Sequence, residues 1–166
     1  PLDILLPIGL SFYTFQAISY SVDVYKWKFT RETPLLHYSF YLTFFPLILA
    51  GPITRAEVLI PQISQFSSMD PVLKKRNSDL AYKGLWLIII GLIKKAVIAD
   101  YIAQFNNMVF ADPTAYSGFE NLMAAVGFTL QIFCDFSGYS DIAIGMAALM
   151  GFDLHDNFNF PYQSLN

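Results

Sequence analysis

The stretch Gln131-Ile132-Phe133-Cys134-Asp135-Phe136-Ser137-Gly138-Tyr139-Ser140-Asp141-Ile142 decides how this chain is read. It places two carboxylates, two hydroxyls and a phenol between apolar segments. On a helix, Ser137 and Asp141 are four residues apart on one face, and Asp135 and Tyr139 pair the same way on another. Two explanations fit. The polar groups line a reaction chamber or passage, where an aspartate orients a hydroxyl or a base. Alternatively, the chain breaks at Ser137-Gly138 and the carboxylates cap the next helix, satisfying backbone N–H groups that lipid cannot satisfy. Phe119 to Cys134 reads as one membrane span and Ser137 to Met150 as a further, short helix. The latter is rich in small residues (Gly138, Ala143, Gly145, Ala147, Ala148) that let helices approach closely.

The surroundings of this stretch are lipid-like. Of the 166 residues 55% are hydrophobic and 17% aromatic, and only 14% are charged, against about 25% charged in an average soluble domain. Mean hydropathy is +0.45. Sixteen Phe and ten Tyr exceed what one small water-soluble core needs. A net charge of −3 with no basic stripe argues against a nucleic-acid partner. The single cysteine, Cys134, allows neither an intrachain disulfide nor a cysteine-based metal site, and two aspartates are too few for a dedicated metal site. The chain opens at Pro1 inside an apolar run, without an initiator Met or signal peptide, and stops at Asn166, which reads as a piece truncated at both ends.

Working outward, a first apolar segment runs from Asp3 to Val24, with Pro7 and Gly9 near its start. Tyr13, Gln16, Tyr20 and Asp23 recur at helical spacing and should face other helices or a wet cavity. A second segment, Leu35 to Ala50, is bent or ended by Pro46 and is either a short span or a re-entrant element. Residues 52–80 form an interfacial or cytoplasmic segment. The larger stretch from Gly51 to Lys83 is punctuated by Pro52, Pro61 and Pro71 and carries Arg55, Lys74, Lys75, Arg76 and Lys83, which favours the cytoplasmic side. Lys26, Lys28 and Arg31 in the preceding loop pull the other way. A third span begins near Leu80 and continues to Ala103, with Lys94, Lys95 and Asp100 inside it. Charges there should be paired, wet or near an interface. Lys94-Lys95 either binds an anion or snorkels. Ala111 to Glu120 is a short acidic loop, and the tail from Phe152 to Asn166 leads toward a further element. The fold class is therefore all-α: a polytopic transmembrane bundle of four to five membrane helices plus an interfacial helical segment, in one domain over 1–166.

His37 and His155 have no adjacent nucleophile in a recognisable arrangement and read as surface or interfacial residues. Cys134 reads as a packing residue. Tyr25, Trp27, Tyr82 and Trp86 suit interfacial belts.

Four blocks in order carry a resemblance. They are Leu6-Pro7-Ile8-Gly9-Leu10-Ser11-Phe12-Tyr13-Thr14-Phe15-Gln16; Phe44-Phe45-Pro46 with Ala50-Gly51-Pro52-Ile53 and Arg55; Gly91-Leu92-Ile93-Lys94-Lys95 with Ile98-Ala99-Asp100; and Cys134 to Gly145 followed by Asn157-Phe158-Asn159-Phe160-Pro161-Tyr162. Together they resemble the core of membrane-bound O-acyltransferases, and the last is closest to the alginate O-acetyltransferase branch. The Cys-Asp-Phe-Ser and Asn-Phe-Asn-Phe wording differs in the teichoic-acid branch, whereas peptidoglycan O-acetylases share similar blocks; both branches stand as alternatives within the family.

The resemblance implies a multi-pass enzyme of the bacterial inner membrane. It would pass an acetyl group from acetyl-CoA or another acyl carrier, with no covalently bound cofactor, toward periplasmic acetyltransferase partners and a polysaccharide acceptor such as alginate. It implies a catalytic histidine downstream of the Asn-Phe-Asn-Phe-Pro-Tyr block, beyond Asn166. No catalytic residue is therefore assigned within this chain, which alone should be inactive. Asp135, Ser137, Tyr139, Asp141 and Asn159 are the candidate chamber-lining residues, and Arg55 and Lys94 the candidates for donor phosphates. The rival classes are a transporter or channel fragment, supported by Asp100, Asp135, Asp141 and Lys94 within apolar segments, and a noncatalytic scaffold subunit.

Overall fold

The computed structural model describes residues 9–27, 33–48, 51–66 and 71–158, with backbone alone at 66 and 71–77. Among these residues every regular element is helical: α1 Leu10–Tyr25, α2 Leu35–Leu42, α3 Phe45–Ile48, α4 Ala56–Phe66, α5 Pro71–Leu92, α6 Asp100–Ala111 and α7 Gly118–Leu149. A π-helical segment, Ile93–Ala99, joins α5 to α6 without a break.

The centre of the fold is a long helical hairpin. One arm is the continuous α5–π–α6 helix, and the other is α7. The 32 residues of α7 extend about 48 Å at ~1.5 Å per residue, more than the ~30 Å of a bilayer core. Among the described residues, α7 is the one helix long and apolar enough to cross a membrane. The expected break at Ser137-Gly138 is absent. Both residues lie inside α7 and both are buried, so the carboxylates around them are not helix caps.

Tertiary packing explains why Gly138 stays helical. The arms run antiparallel, and two glycine pairs set their distance. A Cβ on Gly91 would lie 2.6 Å from the Gly138 carbonyl oxygen, and one on Gly145 would lie 2.6 Å from the Gly84 carbonyl oxygen. Gly84/Gly91 and Gly138/Gly145 each sit seven residues apart, so both pairs fall on one helix seam. Backbone meets backbone along that seam, as small residues permit between helices in lipid.

The hairpin turn is chemically specified. Asp112 accepts hydrogen bonds from the backbone N–H (3.2 Å) and hydroxyl (2.6 Å) of Thr114. The hydroxyl bond chiefly, and the backbone N–H with it, holds the carboxyl of this exposed residue below its ordinary value. Ser117 then caps α7. Its hydroxyl accepts from the Glu120 N–H, while the Glu120 carboxylate accepts from the Ser117 N–H at 2.7 Å, a reciprocal capping box. Ser117→Ala should lower stability by about 1 kcal/mol. Amide exchange over residues 118–121 would rise with it, and unchanged exchange there would show that the box contributes nothing.

The other end of α7 stops in a Schellman motif. Gly151 takes φ 87°, its N–H donates to Ala148 O, and the Phe152 N–H donates to Ala147 O. The chain then doubles back. Phe152 and Leu154 enter the core with Tyr41, Phe44, Leu47, Leu59, Ile60 and Ile144. The Gln62 side chain clamps Asp153, donating to its carbonyl and accepting from its N–H, both at 2.8 Å.

The second apolar segment does not run through. It splits at Thr43 into α2 and α3, and Pro46 sits buried within α3 rather than marking the break. At eight residues, α2 covers only about 12 Å. The apolar face of α4, Ala56, Leu59, Ile60 and Ile63, is buried in the protein.

Helix α1 shows the solvent this surface expects. Its polar stripe faces inward, with Gln16 4% and Asp23 8% exposed, while Phe15 and Ile18 on the outer side are 55% and 52% exposed. The long hairpin follows the same rule, with Trp86, Val97, Met108, Phe119, Leu122 and Val126 all outward. Polar groups inside and large apolar groups outside suits surroundings of lipid or of further helices rather than water.

Candidate functional site

The π segment brings the charged residues together. Lys94 and Lys95 leave it on either side of the Gly91–Gly138 contact and straddle α7. On one side the Lys94 ammonium meets Asp141 at 2.6 Å. On the other, Lys95 meets Asp135 at 2.6 Å and Asp100 at 2.9 Å, and lies 5.4 Å from the centre of the Tyr139 ring. The four-residue spacings read from sequence account for this division. Asp135 and Tyr139 share one flank of α7, and Ser137 and Asp141 share the other.

The charges inside the apolar run are paired, as their cost in lipid demands. Two ammonium groups face three carboxylates, so the cluster carries a formal excess of one negative charge. The Lys94 and Asp141 side chains are only 30% and 18% exposed. Ser137 is fully buried, and its hydroxyl has no partner among the described residues. One turn on, Ser140 is also fully buried and accepts from the Asn157 side chain at 2.9 Å. Phe158 packs edge-on against Phe133 and Phe136. The returning tail thus lies along the Phe133/Phe136/Ser140 face of α7. The rest of the tail, from Asn159 to Asn166, lies outside the described residues. The lining role expected of Asn159 therefore has no geometry here, and neither has the approach through Asn166 to the histidine expected beyond it.

Arg55 is elsewhere. It precedes α4, pairs loosely with Glu57 at 3.9 Å, and lines a cavity of about 340 Å³ with Pro52, Ile53, Thr54, Glu57, Val58 and His155. Arg55 and Lys94 thus occupy separate places in the fold. His155 is exposed at this cavity and His37 is half-buried on α2. Cys134 is buried in α7, consistent with packing.

Sequence reasoning did not find several of the groups that build the site. Gly84 carries no polar signal, and Gly91 entered only as part of a block of the resemblance, with no contact attached to it. Asn106, fully buried on α6, meets the Gln131 side-chain amide at 2.8 Å. Tyr41, also fully buried, donates its hydroxyl to Thr54 O at 2.9 Å and ties α2 to the chain before α4. A tyrosine in an apolar run looks like an interfacial residue until its partner is known.

No family model matches the chain. Curated relatives do. A probable alginate O-acetylase AlgI of Pseudomonas aeruginosa is 37% identical over 97% of this chain. A peptidoglycan O-acetyltransferase of Helicobacter pylori is 33% identical over 99%, and a teichoic acid D-alanyltransferase of Bacillus subtilis is 28% identical over 100%. Along nearly its whole length the chain is similar to these acyltransferases, which are members of the membrane-bound O-acyltransferase family. It spans 29%, 35% and 41% of those three relatives, respectively. The order of identity agrees with the Cys134–Gly145 block, whose wording is nearest the alginate branch. The charged cluster and the Gly91–Gly138 contact lie on the third and fourth of the blocks that carry the resemblance, and Gly84 lies outside them.

Proposed function

We propose that this chain forms part of the wall of a reaction chamber in a multi-pass O-acyltransferase of the bacterial inner membrane, which moves acetyl groups from acetyl-CoA or another acyl carrier toward an exopolysaccharide such as alginate. The observation that carries this reading is the Lys94/Lys95–Asp135/Asp141 cluster, lodged between two long helices that turn large apolar side chains outward. A charged face in that position is expensive, and it is retained where a substrate or proton passes. Similarity to relatives named as O-acetylases supplies the reaction class.

In this proposal Asp135, Ser137, Tyr139, Asp141 and Asn159 line the chamber. Their carboxylates and hydroxyls orient the acceptor of the acyl group, while a histidine beyond Asn166 acts as base or relay. Arg55 contacts donor phosphates at the cavity it shares with His155. Lys94 would do so only by exchanging Asp141 for a phosphate oxygen. The helices of this chain take part in a polytopic bundle of four to five spans, with residues 52–80 at the cytoplasmic interface, and periplasmic acetyltransferases receive the acyl group.

In the intact protein, Asp135→Asn and Asp141→Asn should each reduce polysaccharide acetylation at least tenfold per molecule of folded protein in the membrane. Normal folding with full acetylation would refute the chamber. Arg55→Gln should raise KM for the donor severalfold and leave kcat nearly unchanged. A fall in kcat alone would remove Arg55 from donor binding. Acetate recovered on peptidoglycan instead of the exopolysaccharide would assign the chain to the branch of the H. pylori relative.

A further inference from the structure

The pair Lys95–Asp100 is five residues apart. On an α-helix that separation places two side chains about 140° from one another, out of reach. In a π turn, where bonds run from i to i+5, the two positions sit one above the other. Both halves of that geometry are present: the Asp100 N–H donates to the Lys95 carbonyl, and the side chains meet at 2.9 Å. The same ammonium holds Asp135 on α7.

We propose that Asp100 is a positioning residue, locking Ile93–Ala99 in its π register through Lys95 and so aiming the two lysines at opposite flanks of α7. The register on either side is fixed independently. Gly84 and Gly91 lock α5 to α7 through backbone contacts. Beyond the π segment, α6 meets α7 through Asn106–Gln131 and through Phe110–Phe128, whose rings lie 5.6 Å apart. The π turn holds one more residue than an α turn of the same rise. If it tightened to α, each residue of α6 would move one place along the helix, and Phe105 would replace Asn106 opposite Gln131. Lys95 would lose Asp100 as an intrahelical partner, and its direction toward Asp135 and Tyr139 with it. Asp100 is the replaceable part of this device, because its side chain is 55% exposed and its truncation leaves no void.

The test is disulfide cross-linking in membranes of the intact protein, in a background without Cys134. Phe128→Cys is paired with Phe110→Cys, which reports the π register, or with Val109→Cys, which reports the α register. With Asp100 present the 110–128 pair should dominate. Asp100→Asn should move at least half of the cross-link to 109–128. Asp100→Ala with Ala99→Asp, which supplies an acid at the α spacing, should move more, and Asp100→Glu should hold the original pair. An unchanged 110–128 cross-link in both Asp100→Asn and the double variant overturns the lock. The proposal uses the acyl-transfer reading only for its consequence. A shifted cross-link with undiminished acetylation would leave the lock standing and sink the chamber, whereas lost acetylation without a shift would do the reverse.

Discussion

Gly91→Ala and Gly145→Ala will each destabilise the hairpin, although replacing glycine by alanine inside a helix ordinarily stabilises it by roughly 1 kcal/mol. The sign reverses because of what the new methyl meets. At Gly91 it lies 2.6 Å from the Gly138 carbonyl oxygen and 3.0 Å from the Ile142 N; at Gly145 it lies 2.6 Å from the Gly84 carbonyl oxygen. These are backbone atoms within helices and cannot rotate away, so the arms must separate. Overpacking of this kind costs about 1–3 kcal/mol, and the separation also stretches the ion pairs beside Gly138. Gly118→Ala is the control, since nothing lies within 4 Å of its added Cβ, and it should be neutral or stabilising. The Gly91→Ala/Gly138→Ala double variant should cost less than the sum of the singles, because the first methyl has already spread the contact the second would strain. Unfolding of the intact protein in detergent measures these four and the Gly138→Ala single that the sum requires. A Gly91→Ala protein as stable as Gly118→Ala would mean that the seam is looser than its geometry.

The same seam shows how far the sequence could be read. The inward stripe of α1 was legible, because Gln16, Tyr20 and Asp23 recur at a helical period amid apolar residues and no lipid-facing surface tolerates them. That Lys94, Lys95 and Asp100 must be paired, wet or near an interface was legible from cost alone; that they are paired required the structure. The small residues between Gly138 and Ala148 announced a close helix contact, and the end of that helix at Met150 fell where expected. The continuity of α7 was not legible. Ser-Gly inside an apolar run looks like a break, because both residues are weak helix formers in isolation. Gly138 is instead the residue that lets a second backbone in, a property of Gly91 rather than of its own neighbours. The π segment left no local mark either. Its sequence, Ile-Lys-Lys-Ala-Val-Ile-Ala, suits an α-helix equally well, and the extra residue is demanded by contacts on both sides of it. The split of the second apolar segment at Thr43 likewise depends on packing against α4 and α7, with Pro46 tolerated near the start of a short helix. Of the candidate lining residues, Asp135, Ser137, Tyr139 and Asp141 could be grouped by helical arithmetic. The assignment of a different lysine to each flank required the structure.

The largest effect at the site itself should come from separating Lys94 from Asp141 in two ways. Removing one charge, as in Asp141→Leu, strands an ammonium that is mostly enclosed. Breaking a fully buried pair costs about 3–5 kcal/mol and an exposed one less than ~1 kcal/mol. With side chains 30% and 18% exposed, a loss of about 2 kcal/mol is expected, with greatly reduced protein in the membrane. Removing both charges with similar volume, Lys94→Met with Asp141→Leu, should restore stability to within about 1 kcal/mol of the parent, because the desolvation of the pair disappears along with its attraction. Acetylation should not return with it. If the pair serves the chamber, the double variant will be a well-folded protein with at least a hundredfold less acetyl transfer. If the pair exists only to let two polar residues sit in lipid, folding and acetylation will recover together. Measured side by side in the intact protein, the two quantities separate a structural ion pair from a working one.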